Sequence, residues 1–416
     1  MKSIYLDYAS ITPLDPAVGK EMGTWSKEPL NPSSIHSLGV KAKKAVDDAR
    51  TTTAGFLNVH ADEIVFTSGG TEANALALEG ACRTAHRNGF EKPHVIISSI
   101  EHSSIIETAN MLEKHGVEVT RLSVDKNGLV SLEELKKALK PETFMVSIMT
   151  ANNEIGTIQP IRDIAKVIRD YRKVQSRKFR VESQENKDLG LGTRDSGLNL
   201  YPLFHTDACQ AALYEELNVE MLGIDLLTLD ASKTYGPRGV GALYVKRGTP
   251  IEPLIYGGGQ ERNLRSGTEN VSGIVGFAKA LELAQKTTLA KNDKNLVNFS
   301  AMTKEHEQIQ QLRNYFEKEI KKIRPDAIVN AGATSRVPHI SNITLPDSDA
   351  EMLVLRLDAQ GIAVSTKSAC LRDEDESYVL RAIGADSKSS LRFSFGKWTK
   401  KGDLKKALNC LKKLLA

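Results

Sequence analysis

From residue 63 onward, short apolar runs alternate with longer amphipathic stretches. Residues 63–68, 94–99 and 143–149 are compact runs rich in Val, Ile, Phe and Met, and residues 117–122 make a shorter one. Runs of this length, closed by polar or turn-forming residues, predict buried strands. Between them, the stretches up to about residue 86, 101–115, 131–139 and 160–171 predict helices. The third opens with a capping box, Ser131 and Glu134. Such alternation argues for a mainly parallel sheet covered by helices. Ligands in these folds sit beyond the C-terminal strand ends. Upstream, residues 1–12 predict an extended arm, 13–27 a short helix with Pro and Asp at its start, and 36–57 an amphipathic helix.

The pattern breaks at residues 172–200, which are polar, charged and finally Gly-rich. They predict a flexible inserted loop. Strands resume at 202–207, 224–229 and 239–245. Residues 251–267 are loop-rich, and charged helical stretches run to about 323. The remainder predicts a smaller α/β unit with strands at 327–329, 339–345, 362–364 and 391–395. The expected division is an arm (1–12), a large domain (13–267), linker helices (268–323) and a small domain (324–416). The helix within 13–28 is expected to pack on the small domain.

Composition narrows the class. A chain of 416 residues is too long for one core. With 40% hydrophobic and 26% charged residues, it has the balance of a soluble protein. The net charge of +4 is dispersed, with no basic stripe, so direct nucleic-acid binding is not indicated. The first residues lack the apolar core of a signal peptide, and no run is of membrane-spanning length. The four cysteines are scattered without a Cys-x-x-Cys pair, which suits a reducing, cytoplasmic setting and no metal site.

The candidate chemistry lies at predicted strand ends. Lys233 follows the 224–229 strand in Asp230-Ala231-Ser232-Lys233-Thr234-Tyr235-Gly236-Pro237. A desolvated lysine is a nucleophilic amine that can condense with a carbonyl. Gly69-Gly70-Thr71 opens a helix, and backbone N–H groups there make an anion site. His102, Asn153, and Asp207 with Gln210 follow three further strands. Taken singly, these are a surface lysine, an ordinary helix cap and common loop residues. Jointly they suit a phosphorylated aromatic aldehyde, which needs a lysine, a carboxylate for its ring nitrogen and donors for its phosphate.

With these motifs in order, the chain resembles the class V aminotransferase superfamily of fold-type I pyridoxal-phosphate enzymes. Within it, the likeness is to cysteine desulfurases of the NifS/IscS type. It rests on Tyr5-Leu6-Asp7-Tyr8-Ala9, Asn31-Pro32-Ser33-Ser34, Thr67-Ser68-Gly69-Gly70-Thr71-Glu72, Glu101-His102 and Asn152-Asn153-Glu154-Ile155-Gly156. It continues through His205-Thr206-Asp207-Ala208-Cys209-Gln210, the Lys233 motif, Arg265-Ser266-Gly267-Thr268, Ser368-Ala369-Cys370 and Leu391-Arg392-Phe393-Ser394. The resemblance implies a large domain with a mainly parallel seven-stranded sheet, a smaller C-terminal domain and a homodimer. It implies that Lys233 carries the internal aldimine of pyridoxal 5'-phosphate and shuttles a proton. Asp207 would pair with the ring nitrogen, His102 would stack on the ring, and Gln210 and Asn153 would lie at its phenolic oxygen. Gly70, Thr71 and Ser232 would hold the phosphate, with Thr268 reaching the neighbouring subunit's phosphate. Arg392 and Asn31 would bind the carboxylate of L-cysteine.

The resemblance makes Cys370 the nucleophile that takes the sulfur as a persulfide, leaving alanine. Its loop is polar, with Lys367 and Arg372 nearby, as a reactive thiolate requires. Cys82, Cys209 and Cys410 read as packing residues. The implied acceptors are an iron–sulfur scaffold or a tRNA-thiolation partner, and Cys370 could transiently ligate a cluster iron. Two departures stand out. Lys367 replaces a glycine of the better-known members. The usual Ser-x-His-Lys is Asp230-Ala231-Ser232-Lys233, and an ionised Asp230 would repel phosphate unless it turns away or an arginine holds it. The alternatives are a selenocysteine lyase or another class V aminotransferase, a non-catalytic docking protein, and, lower, a nucleotide-binding oxidoreductase, for which no Gly-x-Gly-x-x-Gly follows the first strand.

Overall fold

A computed structural model describes residues 3–188, 201–289, 304–366 and 376–415. The chain opens with β1 (Ile4–Tyr5), α1 (Pro16–Trp25) and α2 (Ser37–Leu57). Then come β2 (Ile64–Thr67), α3 (Gly70–Arg87), β3 (His94–Ser98), α4 (Ser103–Lys114), β4 (Glu118–Leu122) and α5 (Leu132–Ala138). The middle holds β5 (Thr143–Ser147), α6 (Ile161–Asp188), β6 (Leu203–Asp207), α7 (Val219–Leu222), β7 (Leu226–Asp230) and β8 (Gly241–Val245). Helices α8 (Val271–Leu289) and α9 (Lys304–Ile323) lead to β9 (Ile328–Val329), β10 (Ile340–Thr344), α10 (Ala350–Asp358) and β11 (Ile362–Ala363). The last elements are α11 (Tyr378–Ala382), β12 (Ser390–Ser394) and α12 (Lys401–Leu414).

The large sheet has seven strands in the order β2-β8-β7-β6-β5-β3-β4. Only β8 runs against its neighbours. Successive residues of a strand face opposite sides. Phe66, Ile96, Val146 and Leu227 pack toward α2, α6 and α8, while Val65, Val95, Met145 and Leu226 pack toward α3 and α4. Burial on both faces is why these strands read as continuous apolar runs. The expected α/β class and seven-stranded sheet are what the structure has.

Polar residues inside the sheet are paired across strands. His205 Nδ1 meets Ser147 Oγ at 2.8 Å and its Nε2 meets Thr228 Oγ1 at 3.1 Å. Full burial holds its imidazole near a pKa of about 4, so it stays neutral.

The smaller unit is an antiparallel sheet, β12-β10-β9, with its own apolar core. The N-terminal arm joins it. β1 pairs in parallel with β11, and Ala9 N donates to Ser394 Oγ at 2.9 Å.

Two expectations need correction. α1 rests on α8 rather than mainly on the small unit: Ser272 Oγ donates to Met22 O at 3.0 Å, and Gly276 lies so close to Met22 that a Cβ would meet it at 2.5 Å. Its link to the small unit is the Asp15–Lys397 ion pair. The second concerns the insertion. α6 does not end at Tyr171 but runs to Asp188. Residues 172–188 contain no Gly or Pro, so nothing local stops the helix. Arg172 fastens it by donating to Pro202 O at 2.9 Å and pairing with Asp225 at 2.5 Å. Residues 189–200 of that segment lie outside the described residues.

Candidate active site

Hydrogen bonds link side chains at the C-terminal ends of β6 and β3, which flank β5. Asp207 ends β6 and is buried. Its Oδ2 accepts from Asn74 Nδ2 at 2.7 Å and its Oδ1 from Cys209 N at 2.9 Å. Asn74, on α3, also donates to Ser104 Oγ at 2.9 Å. Ser104 in turn meets His102 Nδ1, through Oγ at 2.8 Å and backbone N at 3.2 Å. A chain of side chains thus runs from Asp207 through Asn74 and Ser104 to His102. The backbone N–H can only donate, so Nδ1 is an acceptor, and the proton of a neutral His102 sits on Nε2. Sequence reasoning missed Asn74 and Ser104. One signal was there: Asn74 stands one turn after Gly70 and Thr71, on the same helix face.

Lys233 closes a short 3₁₀ turn (Ala231–Lys233) directly after β7. It is half-buried, and its Nζ donates to the carbonyls of Ser10 and, at 3.4 Å, Ala9. The arm therefore lies against the lysine. Thr12 fixes that arrangement by donating to Ser232 O at 2.8 Å and accepting from Tyr235 N at 2.7 Å. Gln210 also reaches the arm. Its Nε2 donates to Ala9 O at 2.9 Å, and its Oε1 accepts from His339 Nε2 at 3.0 Å. His339 is buried and held near a pKa of about 3, first by desolvation and then by the nearby Arg392 charge.

At the other end, Gly70 begins α3. Its backbone N donates to Asp230 Oδ2 at 3.0 Å, and Ser232 N donates to Asp230 Oδ1 at 2.8 Å. Asp230 is thus held by two amides, so it neither turns away nor is held by an arginine. A Cβ on Gly70 would meet Cys209 Sγ at 3.0 Å, so the turn packs closely on Cys209. Thr71 and Thr268 are exposed, and Glu72 pairs with Arg265 at 2.8 Å, drawing the Thr268 loop to the start of α3.

Arg392, on β12, is 1% exposed. It pairs with Asp7 at 2.9 Å and donates to Asn153 O at 2.9 Å, while its Nε has no partner. The guanidinium expected to meet a substrate carboxylate is here committed to Asp7. Asn31 lies in an exposed turn that its side chain closes by accepting from Ser33 N at 2.9 Å.

Cys370 falls in residues 367–375, outside the described residues. Both flanks are anchored at the site. Ser365 pairs with Arg392, accepting from its N at 2.7 Å. Ser377 Oγ donates to Glu154 Oε2 at 2.6 Å, and Tyr378 Oη donates to Glu101 O. The other thiols are suppressed as nucleophiles. Burial pushes Cys82 up to about 11, raises Cys410, and with the Asp207 and Asp230 charges carries Cys209 well above the ordinary thiol value. Among the described residues, no cluster of His, Cys, Asp and Glu could hold a metal, and no helix is long and apolar enough to cross a membrane.

These residues fit one end of pyridoxal phosphate well. A buried carboxylate steadied by two donors suits the ring nitrogen, an amine stands one strand away, and the buried Asn74 Oδ1 lacks a partner. At the phosphate end the fit has one conflict, the carboxylate of Asp230 on Gly70 N.

A parallel α/β sheet with a lysine turn after β7 and a carboxylate after β6 defines a class, and the wider comparisons agree. The aminotransferase class-V family model matches residues 4–175 and 200–406. The chain belongs to that family. Within it, the chain is 40% identical to a "Cysteine desulfurase IscS" of Dictyoglomus turgidum, over all of this chain and 95% of that protein. It is 36% identical to a "Cysteine desulfurase IscS 1" of Archaeoglobus fulgidus, over 98% of this chain and 95% of the relative. Among solved structures, a "NIFS-LIKE PROTEIN" matches with a TM-score of 0.82 at 30% identity, covering 99% of each chain. "SspA in complex with cysteine" matches with a TM-score of 0.73 at 31% identity, covering 96% of this chain and 100% of the other.

Proposed function

We propose that this protein is a pyridoxal-phosphate-dependent cysteine desulfurase that moves the sulfur of L-cysteine onto Cys370 and releases L-alanine. The observation that carries this reading is the pair at neighbouring strand ends: the doubly hydrogen-bonded Asp207 after β6 and the Lys233 amine after β7. When bound, pyridoxal phosphate supplies an aldehyde for amines and an electron sink for bonds at the amino acid's α-carbon. Lys233 would hold the aldehyde and be the amine that moves a proton. Asp207, aimed by Asn74 and Cys209 N, orients the ring through its nitrogen. His102 would stack on the ring face, and the proton of its neutral form, on Nε2, would be available there. Gly70, Thr71 and Ser232 hold the phosphate, joined by Thr268 of a second copy. Gln210 and Asn153 stand by the phenolic oxygen, and Arg392 with Asn31 receives the substrate carboxylate.

Cys370 supplies the specificity. Its thiolate attacks the substrate sulfur, the carbon–sulfur bond breaks, and the carbon takes up a proton. Alanine and a Cys370 persulfide are formed with no other reagent. The persulfide passes to an acceptor protein of iron–sulfur assembly or tRNA thiolation. Cys82, Cys209 and Cys410 are unpaired, which suits a cytoplasmic setting. The test is alanine formation from L-cysteine. Cys370→Ser is expected to lose it while keeping the visible colour of the lysine-bound cofactor, and Lys233→Ala is expected to lose both. A Cys370→Ser enzyme as fast as the parent would exclude this role.

A further inference from the structure

The α3 N-terminus already carries an anion. Asp230 Oδ2 takes the N–H of Gly70, the first residue of the helix, and Oδ1 takes the N–H of Ser232. These are the turns that the proposed cofactor phosphate needs. We propose that Asp230 is a built-in competitor for that phosphate: it fills the cup in the cofactor-free chain, so that an entering phosphate either displaces it from Gly70 N or binds without that donor, and so it weakens the protein's hold on its cofactor. The inference rests on the reading that pyridoxal phosphate binds at Lys233.

Asp230 is not a loose surface acid. It is the last residue of β7, with its backbone fixed against Gly241 of β8. A Cβ on Gly69 would sit 3.5 Å from Oδ2, and one on Gly70 would sit 3.4 Å from it. Gly241 packs so tightly that a Cβ there would lie 2.7 Å from the Gly69 backbone. Among the described residues, no lysine or arginine forms an ion pair with Asp230. Lys233, three residues on, gives its amine to the arm carbonyls of Ser10 and Ala9 instead. The carboxylate is balanced by amides and by the positive end of α3. Its field reaches the site, since it helps to raise the neighbouring Cys209 thiol.

A phosphate at the same N–H meets a second anion on a common donor. Either Asp230 swings out and forfeits two charge-assisted hydrogen bonds, or the phosphate binds with one donor fewer and a like charge beside it. Both routes weaken retention. A neutral residue removes the like charge and the charge-assisted bonds.

The experiment titrates cofactor-free protein with pyridoxal phosphate and, separately, with unphosphorylated pyridoxal, following the visible absorbance that depends on Lys233. Asp230→Ser and Asp230→Asn are expected to bind pyridoxal phosphate about tenfold tighter or more than the parent, the worth of one charge-assisted hydrogen bond. Pyridoxal is expected to change by less than about twofold. In a parallel measurement, inorganic phosphate should raise the unfolding temperature of cofactor-free Asp230→Ser and leave the parent unmoved. Variants that bind pyridoxal phosphate no tighter than the parent overturn the competitor role and leave the cofactor reading intact. An equal gain for pyridoxal also overturns it, because the effect then has nothing to do with phosphate. If neither parent nor variants develop Lys233-dependent absorbance, the cofactor reading itself fails and takes this proposal with it.

Discussion

Glu101 precedes His102 and is wholly buried at the end of β3. Its Oε1 accepts from Ser98 Oγ at 2.5 Å and Met149 N at 2.9 Å, while Oε2 has no partner. Desolvation, only partly opposed by those two donors, lifts its pKa from 4.5 to about 8. The folded chain therefore keeps this proton over a range where the unfolded chain has released it. The folded state binds more protons, so stability falls as pH rises from the unfolded value toward about 8. Glu101→Gln is neutral throughout and keeps the Oε1 acceptor. Urea unfolding should show its stability relative to the parent growing with pH across this window, by about 1.4 kcal/mol per pH unit at most. A flat difference would mean Glu101 is ionised in the fold. The same residue scale shows what sequence alone leaves hidden. Lys233, Asp207 and His102 stand at strand ends that apolar runs delimit. Asn74 and Ser104 act only through partners on other elements. The partners of Asp230 are backbone amides, which carry no sequence signature.

Among elements, α11 is the short helix that ends the segment bearing Cys370. Its N-cap, Ser377, is fully buried, accepts from Leu380 N at 3.1 Å and donates to Glu154. Glu154 follows β5, on the turn that presents Asn153. Ser377→Ala removes a cap and leaves a buried carboxylate oxygen short of a donor. The expected cost is about 1–3 kcal/mol in denaturant unfolding. Alanine formation should slow while the absorbance of bound cofactor is unchanged, because the flank of the Cys370 segment is loosened and the Lys233 turn is not. Element boundaries were legible where chemistry was abrupt. Strands β2, β3 and β5 carry apolar residues on both faces and are closed by polar residues. α6 was cut short because residues beyond Tyr171 lack an apolar stripe, and a helix without one resembles a loop when polarity alone is weighed. The absence of Gly and Pro before Gly190 was the better guide.

At the scale of the whole molecule, the arm joins the two units. It adds β1 to β11, gives Asp7 to Arg392, and lays Ala9 and Ser10 over Lys233. Asp7→Ala would strand a guanidinium that is 1% exposed. The expected loss is about 3 kcal/mol or more, read as a lower denaturation midpoint. A loss within about 0.5 kcal/mol, typical of a surface change, would show that the pair contributes little. The arm's role was hidden in the sequence, since a short extended segment does not reveal which sheet it joins.

The arm also imposes an order on the making of the protein. Ala9 and Ser394, like Asp7 and Arg392, are 385 positions apart. During synthesis the arm emerges long before its partners do. The large sheet can form while translation continues, because β2 to β8 are complete by Val245. The cover over Lys233 cannot be seated against β12 until Ser394 has left the ribosome. Until then the lysine turn lacks that anchored cover.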